Sequence, residues 1–155
     1  MHAAKSAVQE CYATAARKAS RRLTALYDGI LTPAGLRSTQ YAILSQLAVG
    51  GPATLNELAH VLVLDRSGLG HSLRPLQRDG LIRLDKDAND RRSVNITLTD
   101  EGRRKFEKAY ELWQTAQEQV IAVLGLATGA KLRDQLNTVA EDDRLGLPPD
   151  TRDVS

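Results

Sequence analysis

The sequence predicts a mainly α fold carrying one small β wing, and three observations predict it. Apolar residues recur every three or four positions over most of the chain; the period changes to two in a single window, residues 82–98; and capping or breaking residues separate the periodic stretches. With 155 residues, 42% hydrophobic and 26% charged, the chain has the size of one domain and enough apolar material for a core. Phe106 and Trp113 are its only Phe and Trp, so Leu, Ala, Val and Ile must fill most of that core.

Val8, Cys11, Ala15, Ala19, Leu23, Leu26 and Ile30 lie on one stripe and predict a helix from Ala4 onward. At roughly 25 residues or more it spans about 38 Å, longer than a small monomeric core covers, which points to packing against another helix or another chain. Pro33 and Gly35 end it. Ser38 is the expected N-cap of a second helix, Thr39 to about Ala48, with Tyr41, Leu44 and Leu47 on one side and Gly50-Gly51-Pro52 at its close. Thr54-Leu55-Asn56-Glu57 reads as a capping box that opens a third helix, in which Leu55, Leu58, Ala59 and Leu62 keep helical spacing.

Asp65 is the expected N-cap of a fourth helix, with Leu69, Leu73 and Leu76 facing one way, Pro75 inside the pattern and Gly80 at its end. After Gly80, Ile82 and Leu84 alternate with Arg83 and Asp85, and Val94, Ile96 and Leu98 alternate with Asn95 and Thr97. The polar run Lys86-Asp87-Ala88-Asn89-Asp90-Arg91-Arg92 between them predicts a hairpin with a basic tip. Thr99-Asp100-Glu101 starts a long helix along which Phe106, Tyr110, Trp113, Gln117, Val120 and Leu124 recur. Gly125 and Thr128-Gly129 interrupt the pattern, Leu132, Leu136 and Val139 mark a last helix, and residues 146–155 form a polar tail expected to be flexible.

The formal net charge is only +2, but it divides into +6 over residues 1–105 and −4 over residues 106–155. The single cysteine, Cys11, excludes an intramolecular disulfide framework and any Cys-x-x-Cys zinc or dithiol motif. His2, His60 and His71 form no helical metal pair, and Gly68-x-Gly70 neither follows a strand nor reaches a third glycine, so neither a metal nor a dinucleotide cofactor is expected. No nucleophile, base and orienting group can be nominated together, so the chain does not read as an enzyme. No apolar run approaches the 18 residues of a membrane span and the N-terminus has no signal core, so the expected location is the cytoplasm.

This order of helices, tight turn and hairpin is that of a winged helix-turn-helix lobe, residues 36–99, set between helices at 1–34 and 100–145 suited to dimerisation. Opposite the leucines of the fourth helix, Ser67, His71, Arg74 and Arg78 lie within about 40° of a common line. With Arg66 they are of types that bond base edges or phosphates, and Gly70, like Gly68, allows close backbone approach. A merely solvated helix face has the same composition. Arg91 and Arg92 at the hairpin tip, with Asp90 beside them to orient a guanidinium, suit insertion into the minor groove of double-stranded DNA.

The run from Asp65 to Ile82, DRSGLGHSLRPLQRDGLI, and that from Asp87 to Gly102, DANDRRSVNITLTDEG, resemble the MarR family of bacterial transcription regulators. Leu36-Arg37-Ser38-Thr39-Gln40-Tyr41 and Leu55-Asn56-Glu57-Leu58-Ala59 agree with it, and the resemblance covers roughly residues 10–140 as one domain of that type. It implies a homodimer, held by the first and last two helices, that binds a pseudo-palindromic operator and usually represses, with Arg92 as the wing arginine. Gly68 and Gly70 depart from the family, where larger or hydroxyl-bearing residues are frequent.

The resemblance also implies release from DNA by a small anionic or phenolic effector bound where the dimer helices meet the winged lobe. Tyr12, Arg17, Arg21, Tyr27, Arg37 and Tyr41 are the candidate lining, each equally suited to packing or to a surface position. An alternative is a redox-responsive regulator using Cys11, as in the organic-hydroperoxide branch. That branch's cysteine would fall near Ala13, and Cys11, two residues away, points roughly 200° around the helix. A winged-helix module that binds protein is the remaining alternative, and Arg66, Arg74, Arg78, Arg91 and Arg92 speak against it.

Overall fold

The computed structural model of the chain describes residues 8–86 and 93–146. Its elements are α1 (Tyr12–Leu31), a 3-10 turn (Thr32–Ala34), α2 (Ser38–Gly50), β1 (Ala53–Thr54), α3 (Leu55–Val61), α4 (Arg66–Arg78), β2 (Ile82–Lys86), β3 (Val94–Leu98), α5 (Asp100–Leu124), α6 (Leu126–Glu141) and a second 3-10 turn (Asp143–Leu145). The fold is mainly α with a small antiparallel sheet, as expected, and it divides into two compact units, residues 1–116 and 117–155.

In the first unit Leu31, Leu36, Tyr41, Ile43, Leu44, Leu47, Leu58, Leu69, Leu73, Leu76, Leu81, Ile82, Ile96 and Ala109 form one buried cluster. Each fully buried leucine or isoleucine contributes about 1.5–3 kcal/mol, so this cluster outweighs any single cap. The winged lobe supplies most of it. α1 contributes only Leu31 as a buried residue, and its Ala-rich stripe is otherwise exposed or half-buried.

Three expectations at helix ends change. The stripe expected to run unbroken from Ala4 stops being helical at Cys11, whose extended backbone makes it the N-cap of α1, its carbonyl accepting the Ala15 N–H at 3.0 Å. One extended residue leaves a 3.6-residue pattern almost unmarked, which is why periodicity passed over it. Ser38 is the first residue of α2 rather than its cap. Its N–H donates to Asp28 Oδ1 at 2.7 Å, and the Arg37 N–H donates to Gln40 Oε1 at 2.8 Å. The cap therefore comes from α1, ten residues back, where no local motif points. Thr128-Gly129 does not interrupt: α6 begins at Leu126, directly after Gly125 at φ 77°, and runs through both.

The expected signals at α3 and α4 are present. Thr54 and Glu57 exchange bonds, Thr54 N–H to Glu57 Oε2 at 2.7 Å and Glu57 N–H to Thr54 Oγ1 at 3.2 Å. Asp65 Oδ1 accepts the Gly68 N–H at the start of α4, and α4 continues past Pro75 to Arg78. Between the two helices the chain turns on Val63, which adopts φ 51° while Leu64 N–H reaches back to the Ala59 carbonyl at 2.9 Å. A β-branched residue in this left-handed region is strained, because its Cβ crowds the following carbonyl.

The hairpin pairs Ile82 with Leu98 through to Lys86 with Val94, and its tip, residues 87–92, lies outside the described residues. The expected two-stranded wing is a three-stranded sheet of order β1-β3-β2, because Ala53 and Thr54 pair with Ile96 and Asn95. Two residues are too few to display a period, and the local sequence marks Thr54 as a helix cap.

Thr99 then joins the wing to α5. Its hydroxyl donates to the Gly80 carbonyl at 2.7 Å and accepts the Gly102 N–H at 3.0 Å, while its own N–H donates to the Leu81 carbonyl at 3.1 Å. Gly102 is buried here, and a Cβ on it would collide with the Leu81 carbonyl oxygen and come within 2.7 Å of Leu98 Cδ1.

In the second unit α6 has no buried residue. Leu132, Leu136 and Val139 share one of its faces and are all exposed, as are Ile121, Val123 and Leu126.

Two stability outcomes follow. Gly102→Ala lowers the unfolding free energy by about 2 kcal/mol or more, since backbone cannot give way as a side chain can; urea denaturation measures it, and an unchanged midpoint would contradict the close approach. Val63→Gly raises stability by about 1 kcal/mol, the relief of left-handed strain less glycine's extra chain entropy, and an equal or lower thermal midpoint would show that the strain is absent.

Candidate nucleic-acid interface

α4 is fixed by its inward face. Leu69, Leu73 and Leu76 are buried, and α4 packs on α2, α3 and β2. That burial commits the opposite face to solvent: Ser67, His71 and Arg74 are exposed there, with Gly70 half-buried beside them, and Arg66 is exposed at the start of the helix, nearer the leucine side. The two glycines differ in consequence. A Cβ on Gly68 would lie 3.1 Å from the Asp65 carboxylate that caps the helix, whereas one on Gly70 would meet nothing within 4 Å. Glycine at 68 leaves room for the cap; glycine at 70 flattens an open surface.

The arginines of α4 are not equivalent. Arg66 Nη2 donates to Asn56 Oδ1 of α3 at 3.0 Å. Arg78 pairs with Asp79 through Nε at 2.9 Å and Nη2 at 3.4 Å, which raises the guanidinium pKa and lowers that of the carboxyl. Arg78 thus carries its own counter-ion and lies apart, in a cleft of about 560 Å³ shared with Asp28, Arg37, Gln40 and Pro75. Arg74 has no ion-pair partner among the described residues. On the wing, Arg83 pairs with Asp85 at 2.6 Å, and the candidate tip residues Asp90, Arg91 and Arg92 lie outside the described residues.

Of the six residues expected to line an effector cleft, the structure brings two together. Tyr27 and Tyr41 share a pocket of about 330 Å³ with Ser38, Ala42, Ser45, Gln46 and Trp113. The Tyr41 ring lies 5.5 Å from Phe106 and is stacked on Trp113 at 6.1 Å; Tyr110 stacks on Trp113 at 5.5 Å. Burial, with the nearby Tyr110, pushes the Tyr41 phenol up to about 12, and burial also raises Tyr27, so both remain hydrogen-bond donors at neutral pH.

The other four lie elsewhere. Tyr12 is 93% exposed, Arg17 is exposed, Arg21 lines an open groove with Lys18 and Arg22, and Arg37 is paired to Asp28 at 3.2 Å. Burial opposes ionisation of Asp28, but bonds from Ser38 and Arg37 outweigh it and hold the carboxyl below its usual range. Trp113, Ser45 and Gln46 were not anticipated in this pocket. In the sequence Trp113 belongs to the apolar run of α5, and the two polar residues carry no signal.

Cys11 is half-accessible at the start of α1. Hydrogen bonds from the Thr14 hydroxyl and amide lower its thiol pKa, with Arg17 adding to the effect. Among the described residues no cluster of His, Cys, Asp and Glu is placed to hold a metal, and no helix is long and apolar enough to cross a membrane.

Comparison with known proteins meets this geometry. Residues 36–94 match the model of the MarR family. The chain is 30% identical to the HTH-type transcriptional regulator FarR of Neisseria gonorrhoeae over 78% of its own length and 90% of the relative's. It is similar to the crystal structure of the M. tuberculosis transcriptional regulator MosR in complex with DNA, at 33% identity, 84% and 94% coverage and a TM-score of 0.75. It is also similar to the transcriptional repressor CouR bound to a DNA duplex, at 26% identity, 86% and 95% coverage and a TM-score of 0.78. The likeness spans winged lobe and flanking helices alike, and the chain belongs to the MarR family of DNA-binding transcription regulators, which are not enzymes.

Proposed function

We propose that this chain is a homodimeric repressor that binds a pseudo-palindromic operator through α4 and the wing, and that a small aromatic ligand in the Tyr27–Tyr41–Trp113 pocket releases it. The observation that carries the reading is the face of α4: three buried leucines hold Ser67, His71 and Arg74 outward beside an antiparallel hairpin. Helix-turn-helix proteins lay such a face in the major groove, and the paired half-sites of a dimer lie about one helical turn apart. The apolar face of α6 supports self-association, since Leu132, Leu136 and Val139 are all exposed on it. MosR and CouR in complex with DNA support the DNA partner. Arg91 and Arg92 at the wing tip are proposed minor-groove contacts, with Asp90 orienting one of them.

Phosphate contacts supply much of the affinity and make it fall with salt, while α4 selects sequence. Arg74, unpaired on the outward face, is the proposed base reader. Selection of bound sites from genomic DNA is expected to return inverted half-sites near that spacing. On the selected site Arg74→Ala costs about 1–3 kcal/mol, and much less on random DNA. An equal loss on both would reassign Arg74 to phosphate.

The pocket's aromatic walls and two neutral phenols suit a planar ligand bearing a carboxylate or carbonyl. In a DNA-release titration with a panel of aromatic carboxylates, the wild type loses affinity and Ser45→Phe, which fills the pocket from α2, stays bound. Equal release of the two would place the effector elsewhere. A second reading, redox control through Cys11, draws on its lowered thiol pKa at the start of α1. Cumene hydroperoxide in the same titration separates the two, releasing the wild type but not Cys11→Ser only if the thiol is the sensor.

A further inference from the structure

Six arginines among the described residues are held by carboxylates: Arg37 by Asp28, Arg78 by Asp79, Arg83 by Asp85, Arg104 by Glu101, Arg133 by Asp134 and Arg144 by Asp142. Arg66 is held by a neutral group instead, the Asn56 side-chain oxygen at 3.0 Å. That bond orients the guanidinium without cancelling its charge, and it uses only one of five N–H donors. The charge also stands where the fold disfavours it. Arg66 is the first residue of α4, at the helix end whose dipole favours anions. The adjacent Asp65 carboxylate is turned to the Gly68 amide and makes no ion pair with the guanidinium. Both Arg66 and Asn56 are exposed.

At 100° per residue, Arg66 falls about 110° from the centre of the face shared by Ser67, His71, Arg74 and Arg78. It is tied toward α3, away from the side chains that point straight out of α4. An exposed, un-neutralised, pre-oriented guanidinium at the edge of a reading face is suited to an anion beside the groove rather than to a base edge within it. We infer that Asn56 is a positioning residue that presents Arg66 to a phosphate of the DNA backbone, the two side chains forming one clamp between the starts of α3 and α4. This rests on the proposed docking of α4 on DNA and adds α3 to that interface.

The test is fluorescence anisotropy on a labelled random-sequence duplex across a salt series, together with thermal unfolding. The proteins are wild type, Asn56→Ala, Asn56→Asp, Arg66→Ala and the Asn56→Ala/Arg66→Ala double variant. Asn56→Ala binds about fivefold more weakly, the effect of one hydrogen bond. Arg66→Ala lowers the slope of log affinity against log salt by about 0.9, one phosphate contact. The double variant binds no more weakly than Arg66→Ala alone.

Asn56→Asp separates positioning from stability. It keeps the acceptor for the guanidinium and so keeps or raises the melting temperature, yet it binds DNA more weakly than Asn56→Ala because its carboxylate cancels the charge and repels phosphate. Additive losses in the double variant, unchanged affinity of Asn56→Ala, or Asn56→Asp binding as well as Asn56→Ala would overturn the clamp. A wild type that binds no duplex at any salt would overturn the docking of α4 itself.

Discussion

Thr99 and Gly102 hold together the part of the molecule on which the rest depends. α4 ends at Arg78, Gly80 with its left-handed backbone turns the chain toward β2, and the Thr99 hydroxyl is spent on the Gly80 carbonyl and on the Gly102 amide in the first turn of α5. The Thr99 N–H to the Leu81 carbonyl adds a third tie. The end of the reading helix, the base of the wing and the start of α5 are thus pinned at one point, and a side chain at position 102 would separate them. Leu98, Thr99 and Gly102 close the run from Asp87 to Gly102 that carries the family resemblance, and the packing gives a reason for their spacing: β-strand, hydroxyl cap and backbone contact meet at one point.

From that point outward the energetics are layered. Burial of Leu69, Leu73 and Leu76 sets which face of α4 is exposed, at about 1.5–3 kcal/mol for each, and the Asp65 cap of about 1 kcal/mol sets where the helix begins. The strained Val63 turn joins α3 to α4 against a small local cost, which the buried cluster on both sides easily outweighs. The surface ion pairs belong to another class. With both partners mostly exposed, pairs such as Arg78–Asp79 and Arg104–Glu101 do little for stability, and their main effect is to decide which cations remain available.

That selection refines what the charge pattern meant. A basic first two-thirds announced a polyanionic partner, but it did not say which arginines would meet it. Arg78 has its counter-ion next to it, Arg66 is oriented by an amide, and Arg74 is left open. The aromatic residues show the same effect. Tyr27, Tyr41 and Trp113 are distant in sequence and share one pocket, while Tyr12, placed in the same expected lining, is exposed.

By itself the sequence determined the element order, the caps of α3 and α4, the inward leucines, the hairpin and the family, because each depends on residues within one or two turns of each other. Period, cap and turn chemistry are local and leave a local trace. Only the tertiary structure decided what is made by residues far apart in the chain: Asp28 capping α2, β1 completing the sheet, Asn56 holding Arg66, and Trp113 facing Tyr41. A polar side chain such as Asn56 has many acceptable surroundings, and nothing in its neighbours on the chain names the one that folding supplies. Glycine shows both cases, since Gly80 was legible as a helix end whereas the need for Gly102 exists only once the Leu81 carbonyl is folded against it.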